Sequence, residues 1–373
     1  MLLSICIPTR NRSQYLTEVV CALSSQFPND VEIVVSDNSE IQNPFMVRLA
    51  NTLSNVVYLY TNDELSFAKN FEKSILAANG KYVTTIGDDD FVFPEVFEAI
   101  SYAEANNADV IISRLDYVYY WPGLNGRTSQ REGALRMSEG LRCDLPKVIH
   151  QRQELRKFLA NGISEFEKTE LARIYHGIVR RDLIRSIIDR HGSLFGGLSP
   201  DIYSSVLLST YASRTVIWTR ALTMPGVCSD SGSGQSATGK HRGNLQHAPH
   251  FRGNADYRWE DEVPKFYSVD TIWAESAIKA LKKCGNLNLE LANLDKLFAK
   301  SLLNNFALIR TAIPMCLDAK AKISWIRIFS YMLILGIAKT VNRLKRKNYS
   351  VFPAPETIAA AAANIKAKPV QDK

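Results

Sequence analysis

The stretch Lys81-Tyr-Val-Thr-Thr-Ile-Gly-Asp-Asp-Asp-Phe-Val-Phe-Pro94 constrains this chain more than any other. Tyr82, Val83, Thr84, Thr85 and Ile86 are mostly β-branched or aromatic and favour a strand, and Gly87 permits a sharp exit at its carboxyl end. In open α/β sheets that end of the strands is where ligands collect. Three consecutive carboxylates are costly there. Two held ~4 Å apart at an effective dielectric of about 20 repel by roughly 4 kcal/mol, so Asp88, Asp89 and Asp90 resist joint ionisation unless a cation joins them. All-oxygen ligands suit Mg²⁺ or Mn²⁺, and Mg²⁺ is commonly held by one or two carboxylates together with substrate phosphates and water. The same residues also read as a solvated acidic turn whose aspartates cap the helix that follows Pro94.

Around this stretch, apolar runs of strand length alternate with helical patterns. Leu2–Ile7 is a short apolar run, after which Leu16, Val19, Val20 and Leu23 fall on one helical face behind Ser13, a cap candidate. Val31–Ser36 and Val56–Tyr60 read as further strands. Ser66 to Asn79 reads as a helix that turns Phe67, Phe71, Ile75 and Leu76 toward the core and stops at Gly80. Beyond Pro94 come a helix to about Asn106, a strand over Asp109–Ser113 and a polar, irregular excursion over residues 120–148. Helical patterns then run from about Gln153 to near Arg180, Pro200-Asp201 opens a helix carrying Ile202, Val206, Leu207 and Tyr211, and Thr215–Trp218 is a strand. Such alternation predicts a mainly parallel sheet with helices on both faces. The Gly/Ser-rich run Ser229–Gly243 reads as a closing lid or as a linker.

The 373 residues leave room for a first domain of about 250 residues and an accessory part. With 45 basic against 38 acidic residues and a net charge of +7, the chain suits anionic substrates or anionic lipid, and no nucleic-acid partner is expected. The six cysteines have neither zinc-site nor disulfide spacing, which fits a reducing compartment. Met1 runs straight into an apolar strand and Pro8, without the basic region and cleavage site of a signal peptide, so a cytoplasmic location is expected. Helices are predicted from about Glu262 to Lys347, with a loosely ordered tail over residues 351–373. Within them Ile323–Ala338 is apolar, too short and too interrupted by Arg327 to span a bilayer, and is followed by Lys339, Arg343, Lys345, Arg346 and Lys347. Residues 323–347 therefore read either as an interfacial helix on the inner face of the cell membrane or as a core or oligomer-forming helix.

Four segments, Ser4-Ile-Cys-Ile-Pro-Thr-Arg-Asn-Arg12, Val34-Val-Ser-Asp-Asn-Ser39, Asn79-Gly-Lys-Tyr-Val83 and Gly87-Asp-Asp-Asp90, occur in that order. Together they resemble the signature of family 2 glycosyltransferases with the GT-A fold. The subset resembled includes bacterial transferases of O-antigen and other surface polysaccharides, the abequosyltransferase-like enzymes among them. The similarity covers roughly residues 2–240 and is strongest over the first hundred. It implies a GT-A catalytic domain over residues 1–255 and a helical region over 256–350. It also implies a metal-dependent, inverting transfer of a sugar from a UDP- or dTDP-type nucleotide to a glycan or lipid-linked acceptor.

Carried over residue by residue, the resemblance places Pro8, Thr9 and Arg10 beside the nucleotide, Asp37 on the base, Asp88 near the ribose and Asp89, with Asp90, on the metal. Many relatives have a carboxylate at the position of Gly87 or Ser36, so the division of labour among the three aspartates stays open. Asp37 also reads as a turn cap, and Lys69 either faces the phosphates or is a solvated helix lysine. An inverting transfer needs a base for the acceptor hydroxyl, and the resemblance points to Asp201. A first-turn aspartate favoured by the helix dipole is the plainer reading of that residue. His176 is an acceptor contact or a satisfied structural histidine, and Lys240 and His241 either close over the diphosphate or belong to a linker. The rival classes are a sugar nucleotidyltransferase, for which the glycine-rich phosphate loop is missing from Pro8–Arg12, and a non-catalytic scaffold of the same fold.

Overall fold

Two strands buried along their whole length set the architecture. β1 (Leu3–Thr9) and β2 (Val31–Asp37) expose no residue, the pattern of parallel strands covered on both faces. The computed structural model describes residues 1–373 apart from 28–29, 124–132, 139–144, 232–241, 244, 246–248, 255, 286–287, 306–312, 315, 318, 320, 345–348 and 368–373. In chain order the other strands are β3 (Val56–Tyr60), β4 (Tyr82–Thr85), β5 (Phe91–Val92), β6 (Val110–Ile112), β7 (Tyr117–Tyr120), β8 (Ala134–Ser138), β9 (Lys147–Ile149) and β10 (Gly177–Arg180). Then come β11 (Thr215–Ile217), β12 (Thr223–Met224), β13 (Gly226–Val227), β14 (Arg242–Gly243), β15 (Tyr267–Ser268) and β16 (Tyr349–Pro353).

The main sheet has the order β3-β2-β1-β4-β10-β6-β11-β9. β3, β2, β1 and β4 are mutually parallel, β10 runs against both β4 and β6, β11 is parallel to β6, and β9 closes the edge antiparallel to β11. Helices α1 (Ser13–Gln26), α2 (Pro44–Thr52), α3 (Phe67–Leu76), α4 (Val96–Ala105), α5 (Gln151–Ala160), α6 (Arg181–His191) and α7 (Pro200–Tyr211) connect and cover it. Alternate residues of β1 enter opposite cores: Ile5 and Ile7 pack with Leu16 and Val20 of α1, Cys6 with Phe158 and Val206. The mainly parallel α/β sheet covered by helices is thus present, with later helices Val269–Lys283, Leu294–Asn304 and Trp325–Leu344 packed onto the second core.

Several local expectations change. Ser13 is already helical and the cap position belongs to Arg12, whose side chain is directed elsewhere. Ser66 does cap α3, accepting from the Lys69 N–H, but the buried stripe of that helix is Asn70, Ser74 and Ile75, while Phe67 and Leu76 are exposed. The helix α2, capped by Asn43 with Pro44 in its first turn, was not anticipated. The described parts of the excursion over 120–148 include β-structure: β8 pairs antiparallel with β7, and the two are flanked by β13 and β16 in a four-stranded sheet. Its strands are completed by partners far away in sequence, which local polarity hides. The helical reading toward Arg180 gives way to β10, four residues inserted between β4 and β6. The tail expected to be loose contains β16 and a helix, Ile358–Ala367, whose Ile358, Ala361 and Ala362 are buried. Among the described residues no helix is long and apolar enough to cross a membrane, as expected for Ile323–Ala338.

Candidate active site

β1 and β4 are neighbours in register Cys6↔Thr85, so the chain leaving each strand emerges at the same place. Past β4 the Ile86 N–H still bonds the Cys6 carbonyl at 3.1 Å, and Gly87 then turns the three aspartates under Thr9. The Thr9 hydroxyl donates to Asp88 Oδ2. Arg12, just beyond β1, places one guanidinium nitrogen 2.7 Å from Asp88 Oδ1 and the other 3.6 Å from Asp89 Oδ1. Asp89 Oδ2 is buried without a hydrogen-bond partner among the described residues. The Trp121 indole N–H holds the Asp89 backbone carbonyl at 2.9 Å, which fixes the peptide while leaving the carboxylate unspent.

Asp90 stands differently from its neighbours. Its carboxylate accepts from the backbone N–H of Gly87 at 2.6 Å, the N–H of Gly226 at 2.7 Å and the Tyr175 hydroxyl at 3.0 Å, and lies 3.2 Å from His176 Nε2. His176 Nδ1 is in turn 3.0 Å from the Thr223 hydroxyl. Asp90 and His176 therefore clamp the aspartate turn to the segment Tyr175–His176 and to β13. A Cβ at Gly226 would come within 1.7 Å of the Asp89 carbonyl oxygen, so only glycine fits there. With both of its oxygens engaged by protein donors, Asp90 does not share the open position of Asp89.

Electrostatics separate the three further. Burial pushes the Asp89 carboxyl up to about 7, with Arg12 opposing and Asp90 and Asp88 adding to the rise. Burial also raises Asp88 against the pull of Arg12 and Thr9. For Asp90 burial is outweighed by His176 and the two backbone donors, which hold its carboxyl below the usual range.

At the end of β2, Asp37 accepts from the Ser39 N–H at 2.8 Å and the Tyr58 hydroxyl at 2.7 Å. Asn70 ties this edge together, donating to the Thr9 carbonyl and to Asn38 Oδ1 while accepting from the Ser36 hydroxyl. Pro8 is buried in β1, Arg10 reaches the Asn38 carbonyl at 3.1 Å, and Lys69 is exposed on the first turn of α3. Asp201 stands apart on the first turn of α7, where the Ser199 hydroxyl donates to it. Burial raises its carboxyl, with Ser199 and then Arg173 pulling the other way. Arg173 lies two residues before Tyr175, so one short segment borders both Asp201 and the aspartate turn. Lys240 and His241 lie outside the described residues.

The residues fit a small hard cation. Asp89 offers a buried oxygen with no partner, and Asp88 stands beside it. Among the described residues no group of three or more His, Cys, Asp or Glu could hold an ion. Arg12, Asn70, Trp121, Tyr175 and Gly226 were missed as site residues. Arg12 alone carried a signal, as the end of the Pro8–Arg12 motif.

Residues 4–165 match the family model described as glycosyl transferase family 2. Among curated proteins, the abequosyltransferase RfbV of Salmonella typhimurium is 30% identical over 117 residues, covering 30% of this chain and 35% of that protein. The match thus spans about a third of the curated relative's length. Among solved structures, S. aureus TarS 1–349 in complex with UDP-GlcNAc aligns over 86% of this chain and 79% of that one, at 17% identity and a TM-score of 0.49. A second structure, TarS 1–349, aligns over 91% and 92% at 16% identity and a TM-score of 0.43.

Proposed function

We propose that this chain, which carries a family 2 glycosyltransferase domain over residues 4–165, moves a sugar from a nucleoside-diphosphate donor to a glycan or lipid-linked acceptor in bacterial surface-polysaccharide synthesis. The observation that carries this reading is the convergence of Thr9, Arg12, Asp88 and the unpartnered carboxylate oxygen of Asp89 at the carboxyl ends of β1 and β4. The donor is of UDP or dTDP type, with its nucleotide over Pro8, Thr9, Arg10 and Asp37. Asp89, beside Asp88, would hold Mg²⁺ or Mn²⁺, which neutralises charge on the departing diphosphate when bound. Asp90 serves the same site by holding the turn. Asp201 takes the proton of the acceptor hydroxyl as that oxygen attacks the anomeric carbon and the bond to the diphosphate breaks, a single displacement that inverts the centre. His176 acts through Asp90. Residues 1–255 form the catalytic unit and 256–350 the helical one, with residues 323–347 resting on the inner face of the cell membrane.

The test is release of nucleoside diphosphate from a panel of sugar nucleotides with Mn²⁺, Mg²⁺ or EDTA. One donor should turn over, EDTA should stop it, and Asp89→Asn should lower the rate about 100-fold or more. No turnover and no nucleotide binding across the panel would leave a scaffold of the same fold.

A further inference from the structure

Arg12 is the feature of the site that the proposed chemistry does not yet use. Its guanidinium is largely enclosed, with 19% of the side chain exposed, and it faces two carboxylates whose own exposures are 0% and 4%. A cation in that position does for Asp88 and Asp89 what a divalent ion would do: it offsets two negative charges that cannot otherwise share a buried turn. Asp90 needs no such help, being held by backbone N–H groups, Tyr175 and His176. The pairing is uneven. Arg12 lies close to Asp88 at 2.7 Å, stands 3.6 Å from one oxygen of Asp89 and leaves the other without a hydrogen-bond partner. The nitrogen that faces Asp89 also approaches the Cys228 sulfur, at 3.8 Å, a weak acceptor. Position in the chain adds to this. Arg12 occupies the cap of α1 without capping it, at the mouth of the sheet, where a rotation of the side chain needs no change in the helix.

We infer that Arg12 is the resident counter-cation of the Asp88–Asp89 pair in the donor-free protein, and that the sugar nucleotide's diphosphate draws the guanidinium off the pair so that the divalent ion can take it. The arginine and the metal then compete for the same carboxylates when no donor is present and cooperate once it is, the freed guanidinium meeting a phosphate oxygen. Metal and nucleotide affinities become mutually dependent, each raising the other by the same factor. The inference rests on the metal-dependent reading of the site.

Mn²⁺ binding measured by electron paramagnetic resonance, on the full chain, tests it without any turnover. Wild type should bind Mn²⁺ weakly alone and markedly better with UDP. Arg12→Gln should bind Mn²⁺ alone on the order of tenfold more tightly, the size usual for coupled sites, while binding UDP more weakly. Arg12→Lys, a compact charge with less reach, should fall between the two, and circular dichroism melts with and without Mn²⁺ should show the Gln variant gaining more from the ion. Equal Mn²⁺ affinity in donor-free wild type, Arg12→Gln and Arg12→Lys overturns the role of Arg12 while leaving the metal site standing. Should Arg12→Gln not fold, an Arg12→Lys affinity equal to wild type overturns it just as well. Failure of wild type to bind Mn²⁺ even with UDP present would instead remove the metal reading itself.

Discussion

Asp88, Asp89 and Asp90 are chemically identical and adjacent, yet they hold three different posts. Asp88 is paired by Thr9 and Arg12, Asp89 keeps a free oxygen, and Asp90 is consumed in holding the turn. Sequence alone left their division open, because side-chain direction at a strand exit is set by what lies across from it. Asp201 illustrates the same scale. As the proposed base it must be ionised to act, so activity should rise as pH passes its pKa. Burial raises that pKa and the hydrogen bond from Ser199 lowers it. Ser199→Ala removes a lowering influence, so the acidic limb of the kcat profile should move to higher pH. A limb that stays in place while kcat falls would exclude Asp201 as the group being titrated.

At the scale of elements, the helix Trp325–Leu344 has two dissimilar faces. Ile328 is buried, and Trp325, Tyr331, Met332 and Leu335 pack against the second core. On the other face Ile326, Phe329, Leu333, Ile334 and Ile337 are between 59% and 81% exposed. The segment 323–347 has six basic residues and no acidic one; Arg327 is drawn back to Asp295 at 2.9 Å and Lys339 to Asn304 Oδ1 at 3.3 Å. A stripe of this kind suits insertion at an anionic lipid surface. Wild type should sediment with vesicles containing phosphatidylglycerol more than with phosphatidylcholine alone. Leu333→Glu with Ile337→Glu should abolish this at nearly unchanged melting temperature, since both side chains are already in water. Equal sedimentation of wild type and variant would show that the stripe is not the contact; a change in oligomeric state instead would assign it to a second copy. The sequence revealed this apolar run, but not which of its residues face outward.

The whole molecule is tied together by a segment that local pattern dismissed. β16 pairs along β8, the Ile358 N–H donates to Glu18 of α1 at 2.9 Å, and the Tyr119 hydroxyl bonds the carbonyls of Pro355 and Glu356. The Tyr119 ring meets the Trp121 ring edge-on, with centroids 5.2 Å apart, and Trp121 holds the Asp89 carbonyl. The strap formed by residues 349–367 thus supports the aspartate turn from more than 200 positions away. Ile358 is fully buried, so Ile358→Ala should destabilise the protein by about 2–5 kcal/mol, read as a lower midpoint in urea. A loss under about 0.5 kcal/mol, the size of a surface substitution, would mean that the strap is not docked in solution.

What the sequence determined by itself was the set of elements whose signal is local and periodic. The mainly apolar runs of β1 and β2, the stripe of α1, the exit at Gly87 and the order of the four motifs were all legible, because burial on both faces and turn chemistry are written into neighbouring residues. Only the tertiary structure decided the insertion of β10, the pairing of β7, β8 and β16, and the encirclement of Asp90 by Gly226, Tyr175 and His176. Each of these joins residues tens to hundreds of positions apart, and a hydrogen-bond partner across such a distance leaves no trace in the period of either segment.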